Sequence, residues 1–301
     1  MSHRVERTTD PAAFLAVAEP LLARDPVLST VMATQVRNAV QDPSPVDHQR
    51  WWAAVVDEAS GEPVGLAMRT APFRPYPLYL LPMQEAAAEA FAVWLLESDE
   101  DVAHANGVRS SVETVMGVLA QARGAGARLL EHDRLWEATE VVAPSGVAGR
   151  SRRATLDDLD LVTAWCLDLM PAADRQAGRE PREGEGEHLD RDYARGRIEQ
   201  GLMWLWEHEG EVVQLTGHSA PALGVARVGP VYTPEEHRGH GYAAALVAEV
   251  TERLLGDGAR VCLFTDAENP VSNGVYARIG YRPVHELVRM EVSPPATPAP
   301  A

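Results

Sequence analysis

The stretch Val228-Gly229-Pro230-Val231-Tyr232-Thr233-Pro234-Glu235-Glu236-His237-Arg238-Gly239-His240-Gly241-Tyr242-Ala243-Ala244 decides the fold. It reads as the end of an apolar strand over 224–232, a charged turn, and two glycines that open an Ala-rich amphipathic helix over 242–255, stopped at Gly256. The first N–H groups of a helix have no intrahelical acceptor and carry partial positive charge, so such a start binds phosphate. Glycine lets the backbone touch the ligand, and consecutive amides form an anion-holding nest. A P-loop requires Gly-Lys-Ser/Thr, which is absent. A dinucleotide fold requires GxGxxG directly after a parallel strand. Here the third glycine is missing and a charged turn intervenes, although Asp266 falls about where a ribose-binding acid would.

Outward from this stretch, 260–265 is an apolar strand, 271–279 a helix stopped at Gly280, and 281–284 and 285–291 are closing strands. Upstream, 152–154 is a short strand, and Thr155 with Asp158 three residues later forms a capping box. Leu156, Leu159, Val162, Thr163 and Cys166 then recur at helical spacing, followed by a polar stretch over 174–187 and a short helix over 193–198. Met203-Trp204-Leu205-Trp206-Glu207 and Val213-Gln214-Leu215-Thr216-Gly217-His218 flank a Gly210 turn as a hairpin. The order β-α-α-β-β-β-α-β-α-β-β predicts an α+β fold with a mixed, mostly antiparallel sheet flanked by helices.

A similar hairpin occurs earlier, with Trp51-Trp52-Ala53-Ala54-Val55-Val56 before a Gly61 turn and Val64-Gly65-Leu66-Ala67-Met68 after it. Leu66 and Leu215 lie 149 positions apart, as do Ala71-Pro72 and Ala220-Pro221, which suggests a tandem repeat. With 301 residues and a Pro/Ser/Gly break at 143–149, two domains are expected, over 1–146 and 147–293, with a Pro-rich disordered tail over 294–301.

The composition limits partners. A formal charge of −17 repels phosphate backbones and anionic membranes, and favours a cationic or neutral substrate, although local amides and arginines still admit an anionic cofactor. All 27 basic residues are arginine, so Schiff-base and other lysine chemistry is excluded. Cys166 and Cys262 form no CxxC or Cys/His cluster, and His237 and His240 bracket the loop without further ligands, so no disulfide framework and no metal are expected. The first 14 residues lack an apolar signal core and no run of 18 apolar residues occurs, which points to a soluble, cytoplasmic chain without a membrane span. The seven tryptophans are expected in packing rather than in base stacking.

Arg238, Gly241 and Ala243 resemble the Arg/Gln-x-x-Gly-x-Gly/Ala signature of the GNAT acetyltransferase superfamily. Asn269 to Pro283 resembles that family's N-x-x-S-x-x-x-Y-x-x-x-G-F/Y stretch, and the likeness covers about 140 residues from Arg152 to Glu291. The resemblance implies acetyl-CoA as co-substrate. The amides of Val231, Tyr232 and Thr233 would pair with its pantetheine, those of Gly239, His240, Gly241, Tyr242, Ala243 and Ala244 would take its pyrophosphate, and Arg238 and Asn273 would assist. Tyr276 maps to the general acid that protonates the leaving thiolate, though it also suits packing beside Val275 and Ile279.

The base is open. Where several relatives carry a strand carboxylate this chain has Val225, and His218, Asp266, a water chain or an amine already neutral are the alternatives. Glu180, Glu183, Glu185 and Glu187 suit either attraction of a cationic amine or a solvated loop. Shifting the loop back by the repeat offset reaches 83–91, without a glycine pair or arginine, and shifting Tyr276 reaches Ala127. The first half is therefore expected to be a degenerate GNAT-like fold, as in known tandem acetyltransferases with one degenerate half. The implied activity is N-acetylation of a small-molecule or peptide amine. The alternative is a non-catalytic acyl-CoA-binding regulatory module.

Overall fold

The computed structural model describes residues 2–42, 50–98, 100–176, 178–180 and 186–293. The tail 294–301, Glu183 and Glu185 lie outside the described residues. The chain divides into two compact units, Met1–Arg134 with His285–Ala301, and Leu135–Val284.

The first unit contains strands β1 (His3–Thr8), β2 (Trp51–Asp57), β3 (Pro63–Arg69), β4 (Leu78–Leu80) and β5 (His104–Val108). Helices α1 (Pro11–Leu22), α2 (Thr30–Gln41), α3 (Glu85–Glu97) and α4 (Arg109–Ala122) alternate with them. Its sheet is completed by β12 (Tyr281–Ser293), whose Leu287 to Glu291 run antiparallel to Val108 to His104. Asp10 caps α1 by accepting from the amides of Ala12 and Ala13, with Pro11 preset for the first turn. The core places Ala88, Phe91 and Leu95 of α3 and Val112, Val115 and Met116 of α4 against Trp51, Leu80 and Val288 of the sheet.

The second unit contains β7 (Arg150–Arg153), β8 (Met203–His208), β9 (Glu211–His218), β10 (Val225–Tyr232) and β11 (Arg260–Asp266), with the end of β6 (Gly126–Ala138) beside β11. Its helices are α5 (Leu159–Gln176), α6 (Arg191–Glu199), α7 (Tyr242–Gly256) and α8 (Pro270–Arg278). Strands β7 to β10 pair antiparallel, and β10 pairs parallel with β11. Side chains alternate across the sheet. Ala226, Val228, Val213 and Leu263 meet Leu246, Val247 and Val250 of α7 on one face. Met203, Leu205 and Leu215 meet Val162, Cys166 and Ile198 of α5 and α6 on the other.

The expected mixed, mostly antiparallel sheets with flanking helices are present, and the element order β-α-α-β-β-β-α-β-α-β occurs twice. The details differ in four places. Each half of the sequence ends in a long strand that straddles the division between the units, so the units are not 1–146 and 147–293. The closing strands at 281–284 and 285–291 are one strand, β12. The break at 143–149 is largely exposed but is tied to the second unit at one point, where the carbonyl of Ala148 accepts from Trp206 Nε1 at 3.0 Å. Helix α5 begins after a capped turn, where Asp158 Oδ2 accepts from the Thr155 amide at 2.8 Å, and continues through Asp174 into the expected polar stretch. Leu156 in that turn is exposed rather than core. Five tryptophans (51, 52, 136, 204 and 206) are buried. Among the described residues no helix is long and apolar enough to cross a membrane.

Candidate functional site

Strand β10 pairs with β11 only from Val225–Arg260 to Arg227–Cys262, after which the two diverge. On its other edge β10 stays paired with β9, with a register shift between Val228 and Val231. The divergence opens a cavity of about 440 Å³. Its walls include Val231 and Tyr232 of β10 with Thr233 just after it, the loop and helix start from His237 to Gly239 and from Gly241 to Ala244, Val275 and Tyr276 of α8, and Ala172 and Ala173 of α5.

The floor at the α7 end follows from its glycines. Gly239 and Gly241 both have φ of +82°, a left-handed conformation in which a side chain is strained. Gly241 is the N-cap and supplies no side-chain acceptor, so the first amides of α7 remain available to an anion. Arg238 donates from Nε to the Thr233 carbonyl at 3.1 Å, which folds the turn back on itself, and the residue lines the cavity. His240 stacks on Tyr242 with ring centres 5.4 Å apart and does not line the cavity.

Tyr276, 9% exposed, lines the cavity from α8. Its ring meets Tyr281 edge-on at 6.0 Å, so the expected packing role is real as well. Burial pushes its hydroxyl up to about 12, which keeps the proton on the phenol at neutral pH. Helix α8 is placed by Asn269, which caps it by accepting from Val271 and Ser272. Asn273 is not at the cavity. Its side chain accepts from Thr265 Oγ1 at 2.6 Å and donates to the carbonyls of Asp266 and Ala267, joining α8 to the end of β11.

Neither base candidate lines the cavity. Asp266 is held by Arg179 Nη1 at 2.7 Å. His218 is buried, and its Nδ1 bonds the Ser219 carbonyl at 3.1 Å. Val225 is fully buried. No Asp or Glu appears among the described residues that line the cavity. Ala127 belongs to β6, and the counterpart of α8 in element order is α4, because a longer strand and turn before α7 shift the repeat offset. The α5 wall was not foreseen. Its signal is the small pair Ala172-Ala173 on a helix that otherwise carries larger apolar residues. Among the described residues no group of three His, Cys, Asp or Glu is placed to hold a metal.

Residues 211–290 match the family described as FR47-like protein. Solved structures match across nearly the whole chain. A GNAT-family acetyltransferase from Colwellia psychrerythraea is 12% identical, covering 97% of this chain and 100% of its own, at TM-score 0.57. A GCN5-related N-acetyltransferase from Sphaerobacter thermophilus is 18% identical, covering 96% and 95%, at TM-score 0.59. A Drosophila protein is 11% identical, covering 98% and 100%, at TM-score 0.65. A search of curated proteins found no match. The chain shares its fold with these GNAT acetyltransferase structures. The glycine-opened helix and the diverging strands stand in the second unit, within or beside the matched residues.

Proposed function

We propose that the second unit transfers an acetyl group from acetyl-CoA to an amine, with Tyr276 as the acid. The observation that carries this reading is one cavity joining an uncapped, glycine-opened helix start to a protonated buried tyrosine. The residues fit the co-substrate: amides from Gly239 to Ala244 and Arg238 would hold the pyrophosphate, and Val231 to Thr233 would face the pantetheine. Acetyl-CoA supplies a thioester whose acyl carbon is attacked by the amine. The chain's part is to orient that arm, shield it from water with the α5 wall, and hold a proton at Tyr276 Oη. With no carboxylate on the described lining, the amine arrives neutral or loses its proton through water.

The first unit is proposed as a GNAT-like fold without a cofactor site. Only Leu81 to Gln84 connect β4 to α3, and the Met83 amide is already taken by Ser111 Oγ at 2.9 Å.

The lack of a lining carboxylate also suits a non-catalytic acyl-CoA-binding regulator. A thermal-shift titration with acetyl-CoA, then a thiol-release assay over an amine panel, separates the two. Stabilisation with thiol release supports the transferase, stabilisation without release supports the regulator, and no stabilisation refutes both.

A further inference from the structure

Two arginines of the second unit are set beside each other without a counter-ion. Arg197 of α6 donates from Nη2 to the carbonyls of His218 at 2.7 Å and Gly229 at 2.9 Å, and its guanidinium lies 5.4 Å from the centre of the Tyr193 ring. Arg227 of β10 is anchored through its backbone: its amide donates to Ser219 Oγ at 3.0 Å, and its carbonyl accepts from the Ser219 amide at 2.8 Å. Ala226 and Val228 on either side of it pack under α7, so by strand alternation the Arg227 side chain stands on the α5/α6 face, with Arg197. Arg197 Nε and Arg227 Nη1 are both buried N–H groups without an acceptor among the described residues.

No carboxylate among the described residues pairs with either guanidinium. Elsewhere in the unit Arg152, Arg175, Arg179, Arg253 and Arg260 each hold an Asp or Glu within 2.5–2.8 Å. In a chain of charge −17, acids are abundant, and two neighbouring half-buried cations left without one carry a desolvation and repulsion cost that a bound anion would relieve. Burial, and then the charge of Arg227, push the Arg197 guanidinium below its ordinary value, against the opposing effect of Tyr193. His218 adds no third cation, because burial lowers its pKa and keeps the ring neutral.

Resting on the transferase reading above, we propose that Arg197 and Arg227 form a carboxylate-binding subsite, so that the acceptor is a small amine that also carries a carboxylate. Gly229, whose carbonyl Arg197 grips, is two residues up-strand of the cavity wall at Val231, roughly 7 Å along the strand. The local pair thus reverses, at this one place, the preference for cationic or neutral ligands that the overall charge suggests.

The test offers the standard amino acids and their carboxamides as acceptors to the full chain and to Arg227→Gln and Arg227→Lys, with thiol release from acetyl-CoA as readout. Arg227→Gln leaves the carbonyl bonds of Arg197 in place. At least one amino acid should exceed its carboxamide in kcat/KM by about 10- to 100-fold. Arg227→Gln should erase that preference by lowering kcat/KM for the amino acid at least about tenfold more than for its carboxamide, and Arg227→Lys should restore part of it. In a second measurement without turnover, N-acetyl amino acids should raise the melting temperature of the parent chain but not of Arg227→Gln, and N-acetyl carboxamides should raise neither. Equal use of acids and amides, or equal losses for both in Arg227→Gln, overturns the subsite, as does a lack of stabilisation by every N-acetyl amino acid. Because the melting experiment contains no acetyl-CoA, it decides on the arginine pair even if acetyl-CoA fails to bind, a result that would sink only the transferase reading.

Discussion

Tyr232 donates its hydroxyl to Asp168 Oδ2 at 2.6 Å, tying the diverging end of β10 to α5, the helix that forms the opposite wall of the cavity. Burial opposes the charge on Asp168, but hydrogen bonds from Arg175 and Tyr232 outweigh it and hold the carboxyl below its ordinary value. Burial and the same bond push the Tyr232 phenol up to about 12. The signs follow from linkage. The depressed Asp168 contributes stability above its unfolded pKa of about 3.9, lost as pH falls through the folded value. The raised Tyr232 contributes below its unfolded pKa of about 10, and that is lost as pH rises through about 12. The pair is therefore fully effective from about pH 5 to 9. Tyr232→Phe should cost about 1 kcal/mol, at the low end for a charged bond because the Asp168 side chain is 38% exposed. The same change should move the Asp168 titration upward by NMR. A carboxyl titration identical in the variant would show that the bond does not form in solution.

Tyr276→Phe should lower kcat for thiol release by about 10²- to 10⁴-fold and leave the acetyl-CoA-induced thermal shift almost intact, since the ring and its contact with Tyr281 remain. With the phenol held to about 12, this residue should add no alkaline fall to the rate below about pH 11. A variant with parental kcat would leave Tyr276 as a packing residue only.

The parts of the fold and site that were readable depended on short-range physics. The glycine pair before an amphipathic run announces a helix start with free amides, and Thr155 with Asp158 announces a capped turn, because each signal lies within a few residues of its effect. The α5 wall and the pairing of Arg197 with Arg227 depend on how helices cross a sheet more than 25 residues away, and no local pattern encodes that. The limits of the units are not a local property either. A long terminal strand looks the same in sequence whichever unit its residues join, and only its register with β5 reveals where the end of β12 belongs. Asn273 was assigned to the cofactor through resemblance, whereas its own hydrogen bonds make it a clamp between α8 and β11.

The glycines of the loop permit a direct comparison. Gly239→Ala meets no atom within 4 Å but must hold φ at +82°, which costs about 1–2 kcal/mol. Gly241→Ala has the same φ and also brings its Cβ to 3.2 Å from Val147 Cγ2, so it should cost somewhat more. Both should raise the KM for acetyl-CoA by more than about tenfold, as the amides leave their anion-binding orientation. Gly256→Ala at the end of the same helix, with open space around it and no positive φ, should instead stabilise by about 0.5–1 kcal/mol and leave KM unchanged. A KM increase in all three variants would mean that helix stability, not the cradle, governs binding.

The two units should differ in cofactor binding despite their shared element order. In the first, β4 is three residues long and pairs with β5 over its whole length, from Leu78–Ala105 to Leu80–Gly107, whereas β10 runs on for five residues past its last pair with β11. The Met83 amide is spent on Ser111, and Glu85 places a negative charge in the first turn of α3, where a phosphate would otherwise benefit from the helix dipole. A cavity of about 410 Å³ in the first unit, between Arg24, Asp25, Leu28 and the 81–84 turn, has no glycine-opened helix among its described lining residues. Calorimetric titration with acetyl-CoA should therefore give one site per chain, abolished by Gly239→Ala combined with Arg238→Ala. Ser111→Ala frees the Met83 amide but leaves Glu85 in place, so it should not create a second site. Two sites in the parent chain, or binding that survives the double substitution, would place a cofactor in the first unit and overturn its assignment as the degenerate half.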